Sequence, residues 1–249
     1  MRRFFDRSRV VLDPRAIAGA LTGKGPHELA LPERAIVTFS EADLKRLTQN
    51  RDASIVDAWA PFRMIHRLSG TSTVVIRSSF GGPNIAALME ELSAFGVREF
   101  VLWGYCGGMG PVRAVGDVCL AGSALREEGI SWHYLEDENE MVSSAWADDW
   151  TDAAAGAGFP VVDVWTTDAI YRETENKIEA CIERGISVVE MEVASFYAVA
   201  RARDLKAAAF LVVSDLFNNN GTWTSGFHTR AFREGVKKLA RFMNGKAVL

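Results

Sequence analysis

From Ala35 onward, short apolar runs rich in β-branched residues alternate with stretches of helical periodicity. No other feature constrains the fold as strongly, because strand–helix alternation builds layers around a parallel or mixed sheet. Strands are expected over 35–39, 73–79, 98–103, 117–123, 161–166, 186–191 and 207–213, and helices over 41–49, 83–95, 144–156, 173–184, 193–203 and 227–243. In 83–95, Ile85, Leu88, Met89, Leu92 and Phe95 recur at helical spacing. Pro83 suits the first turn and Gly96 the end. The last helix sets Phe232, Val236, Leu239 and Met243 on one face. No repeat, low-complexity tract or linker interrupts the pattern. The expectation is a three-layer α/β/α sandwich with a mixed central sheet. Residues 1–33, with a turn at Gly23-Lys24-Gly25-Pro26 and little periodicity, form an N-terminal arm, and residues 34–249 a single domain.

Composition excludes several classes. A chain of 249 residues can bury a substantial core. A net charge of −4 gives no basic excess for nucleic acid. Cys106, Cys119 and Cys181 are odd in number and widely spaced, with neither zinc nor C-x-x-C spacing, so reduced thiols in a cytoplasm are the simplest reading. The basic start, Met1-Arg2-Arg3, is not followed by a long apolar run, so neither a signal peptide nor a membrane span is expected.

Polar and glycine residues fall at the ends of five of these strands: Gly81-Gly82, Gly104 to Gly110, Thr166-Thr167-Asp168, Glu190-Met191-Glu192, and Ser214-Asp215. Ligands of open α/β sheets bind beyond the carboxyl ends of strands. Each element also has a structural explanation. Gly81-Gly82-Pro83 reads as an anion-receiving helix start or as a tight turn. Gly104-Tyr105-Cys106-Gly107-Gly108 allows close backbone approach, but is neither a dinucleotide fingerprint, a nucleophile elbow nor a Walker loop. Asp215 reads as a general acid at a cleft edge or, with Ser214, as a cap. Glu190 and Glu192 end an apolar strand, where an unpaired buried carboxylate is costly. They read as a clamp for a vicinal diol or as helix-start carboxylates. Trp165 and Tyr171 suit stacking on a planar base or core packing. Arg77 is an isolated charge in an apolar strand, and reads as an ion-pair partner or a ligand contact. His133 reads as a loop or strand-edge residue, and His228 and Arg230 as surface residues near enough to the final helix to cover a cleft.

These elements occur in the order seen in the purine nucleoside and uridine phosphorylases, and roughly residues 35 to 243 resemble that superfamily. Glu190-Met191-Glu192 with the downstream Ser214-Asp215 carries the resemblance, and the Ser-Asp element is closer to the purine branch. The segment Trp165 to Tyr171 is similar to the family's base-pocket strand. The resemblance implies a nucleoside phosphorylase-like fold and cleavage of the N-glycosidic bond of a nucleoside. The simplest form is phosphorolysis of a purine nucleoside to free base and ribose 1-phosphate. It implies no metal and no organic cofactor, inorganic phosphate as co-substrate, and a homo-oligomer, dimer or hexamer.

Carried over by position, Glu192 binds the ribose hydroxyls, Met191 packs on the sugar and Glu190 supports them. His27 resembles a histidine that reaches a neighbour's 5′-hydroxyl. Asp215 protonates or hydrogen-bonds the leaving base. Trp165, Thr167, Ile170, Tyr171 and Ser214 lie around the base. Gly81, Gly82 and Tyr105 belong to the phosphate region. That region departs from the family: Leu102 stands where phosphorylases carry an arginine, Tyr105 replaces a small hydroxyl residue, and Ser40 and Leu44 stand near the glycine and arginine of the first loop. Arg63 and Arg77 are the candidates to compensate. Losing charge-assisted guanidinium contacts weakens phosphate binding, so hydrolysis by water is the alternative, and a non-catalytic nucleoside-binding protein a further one.

Overall fold

The computed structural model describes residues 4–49, 51–218 and 221–245. The Met1-Arg2-Arg3 start lies outside them. In chain order the elements are α1 (Pro14–Thr22), β1 (Arg34–Thr38), α2 (Glu41–Thr48), β2 (Ala53–Ile55), β3 (Ile65–Leu68), β4 (Thr73–Arg77), α3 (Gly82–Ala94), β5 (Glu99–Met109), β6 (Val118–Glu127) and α4 (Ser131–Tyr134). They continue with β7 (Met141–Ser143), α5 (Ala145–Asp149), α6 (Thr151–Gly156), β8 (Val161–Thr167), α7 (Glu175–Glu183), β9 (Val188–Glu190), α8 (Val193–Arg203), β10 (Lys206–Phe217), β11 (Trp223–Ser225) and α9 (Arg230–Met243).

The sheet is mixed, as the alternation predicts. Its order is β11-β10-β6-β8-β9-β5-β1-β4-β3-β2, with β7 on β6. β10 also pairs with β5, so β10, β6, β8, β9 and β5 close on themselves. β1 lies parallel to β4 and β5, β10 parallel to β5, and β8 parallel to β6 and β9. α8 packs on α3 and α4, and α9 and α5 lie against β10. Val193 to Ala200 are all buried, because α8 is apolar on every face and has core on every side. Its one polar ring atom is satisfied: Tyr197 Oη donates to the Ala121 carbonyl at 2.6 Å and accepts from the Ala209 N–H at 3.3 Å. α9 buries the expected stripe, Phe232, Val236, Leu239 and Met243.

Three expectations need correction. First, the glycine-rich segment after residue 103 is no loop: β5 runs on to Met109. A Cβ on Gly107 would stand 2.9 Å from the Phe217 ring, and one on Gly108 2.8 Å from Leu216. These glycines let β10 lie flat on β5. Second, β6 and β10 also run past their expected ends, to Glu127 and Phe217, while the expected helix 144–156 breaks at Trp150 into α5 and α6. Third, the leader carries a helix. Asp13 caps α1 through Arg15 N–H (2.8 Å), Pro14 occupies its first turn, and Gly23 ends it at φ 70°. The leader docks on the body: Leu31 N–H donates to the Phe95 carbonyl, and Trp59 Nε1–H to that of Leu29. Short β2, β3 and β11 also escaped the periodicity. His133 lies in α4 with its ring 5.0 Å from Phe4.

Candidate active site

Glu190 and Glu192 diverge in role although they are two residues apart. Glu190 ends β9 and turns onto the start of α8. Its Oε2 accepts the N–H groups of Glu192 (2.6 Å) and Val193 (2.8 Å), and its Oε1 accepts the Thr166 hydroxyl. Thr166 Oγ1 in turn accepts the Ala194 N–H at 3.0 Å. Glu190 is therefore the internal cap of α8, occupied on both oxygens, rather than a group facing a sugar. Burial and the neighbouring Glu192 charge push its carboxyl up, and these donors pull it down.

Glu192 stands at the N-terminus of α8 and is only 6% exposed. Its Oε1 accepts the Gly81 N–H at 2.6 Å. Gly81 has φ 95°, a conformation that favours glycine, and so aims its N–H back at the carboxylate. α3 approaches closely here: a Cβ on Gly82 would sit 2.4 Å from Ser195 Oγ. Gly81 and Gly82, expected in a phosphate region, are thus parts of the Glu192 mount. Burial pushes the Glu192 carboxyl up, with the Gly81 and Met191 N–H groups opposing and Asp168 adding to the rise. A carboxylate offers about four lone-pair sites, so a mounted Glu192 keeps acceptor capacity for a ligand. Met191, between two buried acids, is half-buried.

Asp215 is placed by a β-bulge. The β10–β5 register shifts between Val213 and Asp215, which leaves Ser214 as the extra residue and re-aims the next side chain. Ser214 Oγ lies 2.6 Å from Asp215 Oδ1 and 3.2 Å from the Cys106 carbonyl. Trp223 Nε1–H, from β11, donates to Oδ2 at 2.7 Å. Both carboxylate oxygens thus accept a hydrogen bond. Ser214 is a brace for Asp215. Oδ2 faces the bare backbone of Gly107, where a Cβ would come within 3.1 Å of it.

The expected base-binding residues separate. Trp165 is 1% exposed, packs with Met109, Cys181, Ile186 and Val189, and spends its N–H on Glu127 (2.7 Å). It belongs to a second core cluster. Thr167 is buried at the end of β8, and its hydroxyl accepts the Ala169 N–H at 3.3 Å. Ile170 and Tyr171 stand exposed on a 3₁₀ turn, Tyr171 at 96%. A cavity of about 910 Å³ opens beside these strand ends, lined among others by Glu127, Trp165, Asp168, Lys177 and Cys181. It shares Asp168 with the Glu192 surroundings, but its lining includes neither Glu192 nor Asp215.

The phosphate half carries no free guanidinium from the expected set. Leu102 is fully buried and Leu44 nearly so. The Tyr105 hydroxyl donates to Asp43, and its ring meets the edges of Phe227 and Phe232. Asp43 is buried and pairs with Arg46 at 2.9 Å. Burial and the Asp43 charge push the Tyr105 hydroxyl up, so it stays a neutral donor. Arg63 is held in a bidentate pair with Glu91 at 2.7 and 3.0 Å. Arg77 is exposed at the end of β4, 3.7 Å from Glu41. His27 is exposed on the turn before Leu29, and among the described residues no hydrogen bond or ion pair joins it to the strand-end cluster.

Three contributors escaped the sequence reading. Thr166 braces Glu190. Trp223 braces Asp215 from a hairpin announced only by the Asn-Gly pair before Thr222. Glu173 lies half-buried near Asp215 and Glu127. Nothing in the sequence around Glu173 marks it.

A family model described as the phosphorylase superfamily matches residues 33–246. A guanosine phosphorylase of Halorubrum lacusprofundi is 30% identical over 178 residues, 69% of each chain. A DeoD-type purine nucleoside phosphorylase of Roseobacter denitrificans is 30% identical over 154 residues, 59% of this chain and 64% of the relative. The crystal structure of an AMP nucleosidase from Bacteroides thetaiotaomicron superposes with a TM-score of 0.68 over 94% of this chain and 97% of its own, at 20% identity, a likeness of fold. The match over 33–246 runs from the start of β1 through α9, and on it this chain belongs to the phosphorylase superfamily.

Proposed function

We propose that the chain cleaves the N-glycosidic bond of a purine nucleoside, with water as the nucleophile. The observation that carries this reading is the mount of Glu192: a buried carboxylate pinned by the Gly81 N–H, beside a half-buried methionine. A carboxylate with free lone pairs fits the 2′- and 3′-hydroxyls of ribose, and Met191 fits the sugar ring. Breaking the bond builds oxocarbenium character on the sugar. A fixed, buried negative charge stabilises that cation more than it stabilises the neutral substrate, which is the requirement for catalysis. Asp215, braced by Ser214 and Trp223, protonates or hydrogen-bonds the departing base. Guanosine and purine nucleoside phosphorylases among the relatives support a purine.

Water is favoured over phosphate on charge. Where a phosphate would need cations there is Leu102, a neutral Tyr105 and the buried Asp43, already matched by Arg46. Arg63 is tied to Glu91. Phosphorolysis is the second reading, favoured by the names of the relatives, and on it inorganic phosphate is the co-substrate. We also infer a cytoplasmic homo-oligomer, from the three reduced thiols and from the exposed apolar leader residues Val10, Val11 and Leu12, which suit a subunit contact.

The test follows free base from a panel of purine and pyrimidine nucleosides, with and without phosphate. Purine release in phosphate-free buffer is the expected result. Release only with phosphate favours phosphorolysis, and binding without release the non-catalytic alternative.

A further inference from the structure

We propose that Trp223 is the stacking surface for the leaving base and sets the preference for a purine. The inference rests on the N-ribosyl reading above and on its assignment of Asp215 to the base. Among the described residues, which include all seven tryptophans, Trp223 is the one exposed tryptophan, at 56%. Trp132 lies over the Arg126 guanidinium at 3.8 Å, and Trp146 and Trp150 meet edge to face at 5.4 Å. The Trp223 ring, among the same residues, meets no other aromatic ring and no cation.

Exposed apolar residues are common; the place of this one sets it apart. The hairpin pairs Phe217 with Trp223 and Asp215 with Ser225. Asp215 and Phe217, two residues apart on β10, share one face, and Trp223 stands on that face diagonally from Asp215. The contacts agree. A Cβ on Gly107 would lie 2.9 Å from Phe217 Cε2 and 3.1 Å from Asp215 Oδ2. Trp223 Nε1–H donates to the same Oδ2 at 2.7 Å. A base atom hydrogen-bonded to Oδ2 therefore lies within about 6 Å of the indole nitrogen, the range of ring contacts. The turn holds the indole there: Asn218 Nδ2 donates to the Thr222 carbonyl and to the Thr222 and Thr224 hydroxyls at 3.1, 3.0 and 2.9 Å. Trp165, expected beside the base, is core and leaves this place to Trp223.

Trp223 thus divides its work. Its N–H steadies the carboxylate that meets the departing base, and its ring holds the base. Stacking tolerates changes of substituent, because every base has a π-face. It grows with the area covered, and a bicyclic purine covers more of an indole than a single-ring pyrimidine does. The preference is therefore one of ring size.

The experiment titrates hypoxanthine and uracil into the wild type, Trp223→Phe and Trp223→Ala by calorimetry, follows indole emission through each titration, and measures inosine cleavage alongside. Hypoxanthine should bind the wild type more tightly than uracil and quench part of its emission. Trp223→Phe keeps an aromatic face, so its hypoxanthine affinity should stay within about 3-fold of wild type, while the quench disappears with the indole. Trp223→Ala should lose about 10–10²-fold in hypoxanthine affinity, the usual worth of one stacked base, and its preference over uracil should narrow. Hypoxanthine affinity in Trp223→Ala within about 3-fold of wild type, or a quench that is absent from the wild type or persists in Trp223→Phe, overturns the proposal and leaves inosine cleavage standing. Should Trp223→Ala melt early, the quench comparison with Trp223→Phe decides alone. A wild type that neither binds hypoxanthine nor cleaves inosine overturns the N-ribosyl reading and, with it, this one.

Discussion

Replacing Glu192 by glutamine removes the charge and keeps the shape. The amide oxygen can still accept the Gly81 N–H, which now lies 2.6 Å from Oε1, so the heads of α3 and α8 stay in place. Two contributions are lost. A hydroxyl-to-carboxylate hydrogen bond is worth about 1.5–3 kcal/mol, and glutamine presents an N–H₂ to the diol where the carboxylate presented an acceptor. The attraction between a carboxylate and a sugar cation about 5 Å away is of order 3 kcal/mol at an effective dielectric near 20, and only part of a charge has developed at the transition state. These contributions do not add in full. The expected loss in kcat/KM is about 10²–10³-fold, or about 3–4 kcal/mol. Stability should move the other way. Burial holds the Glu192 carboxyl above its ordinary range, so the native state binds its proton more readily than the unfolded chain does. That contribution is present below the ordinary carboxylate range and is lost as pH rises through the native value. Melts of the two proteins should coincide near about pH 4.5 and separate toward about pH 8, the variant being the more stable. Steady-state kinetics and thermal melts over pH test both halves. A native-like variant that retains kcat/KM within about 5-fold refutes the ribose assignment.

Two further substitutions probe the other parts of the site. Trp223→Phe keeps the ring and deletes the N–H bond to Asp215 Oδ2; with Trp223 56% exposed, the loss should be about 1.5 kcal/mol, or roughly 10-fold, in kcat with little change in KM. An unchanged kcat would show that Ser214 alone holds the carboxylate. Tyr105→Phe leaves the buried Asp43 with Arg46 but without the phenol, so urea unfolding should show a loss of about 1–3 kcal/mol. The same variant should gain no rate from added phosphate, and a phosphate-stimulated Tyr105→Phe enzyme would contradict the view that cations are what this half lacks.

The fold was largely legible because its strands and helices carry their own periodicities, and because Pro83 and Gly96 bracket α3. Strand lengths were less so. Gly104, Gly107 and Gly108 suggested a loop, while their actual service is to let β5 and β10 approach, a demand set by residues more than 100 positions away. α1 was missed although Asp13, Pro14 and Gly23 are its cap, first-turn and terminating residues, since a nine-residue helix shows little periodicity. In the site, the pair Glu190 and Glu192 was visible as two acids after an apolar strand. Their division of labour was not, because it depends on Thr166 and Gly81 arriving from β8 and the head of α3. Asp215 was visible, but the bulge that aims it and Trp223 that braces it arise from the pairing of β10 with β5 and β11. Trp165 matched a base-stacking position by order and became core by burial, and the Arg63 and Arg77 candidates met Glu91 and Glu41. Sequence order grouped the candidate strand ends, and tertiary neighbours decided which side chains were already spent.

On the proposed function, water and not phosphate attacks C1′ of a nucleoside in the Glu192 site. Mass spectrometry of the sugar product, formed from inosine in ¹⁸O-water with inorganic phosphate present, tests it most directly. Free ribose carrying one ¹⁸O atom, formed at the same rate whether or not phosphate is added, is the expected product. Unlabelled ribose 1-phosphate as the product would contradict it.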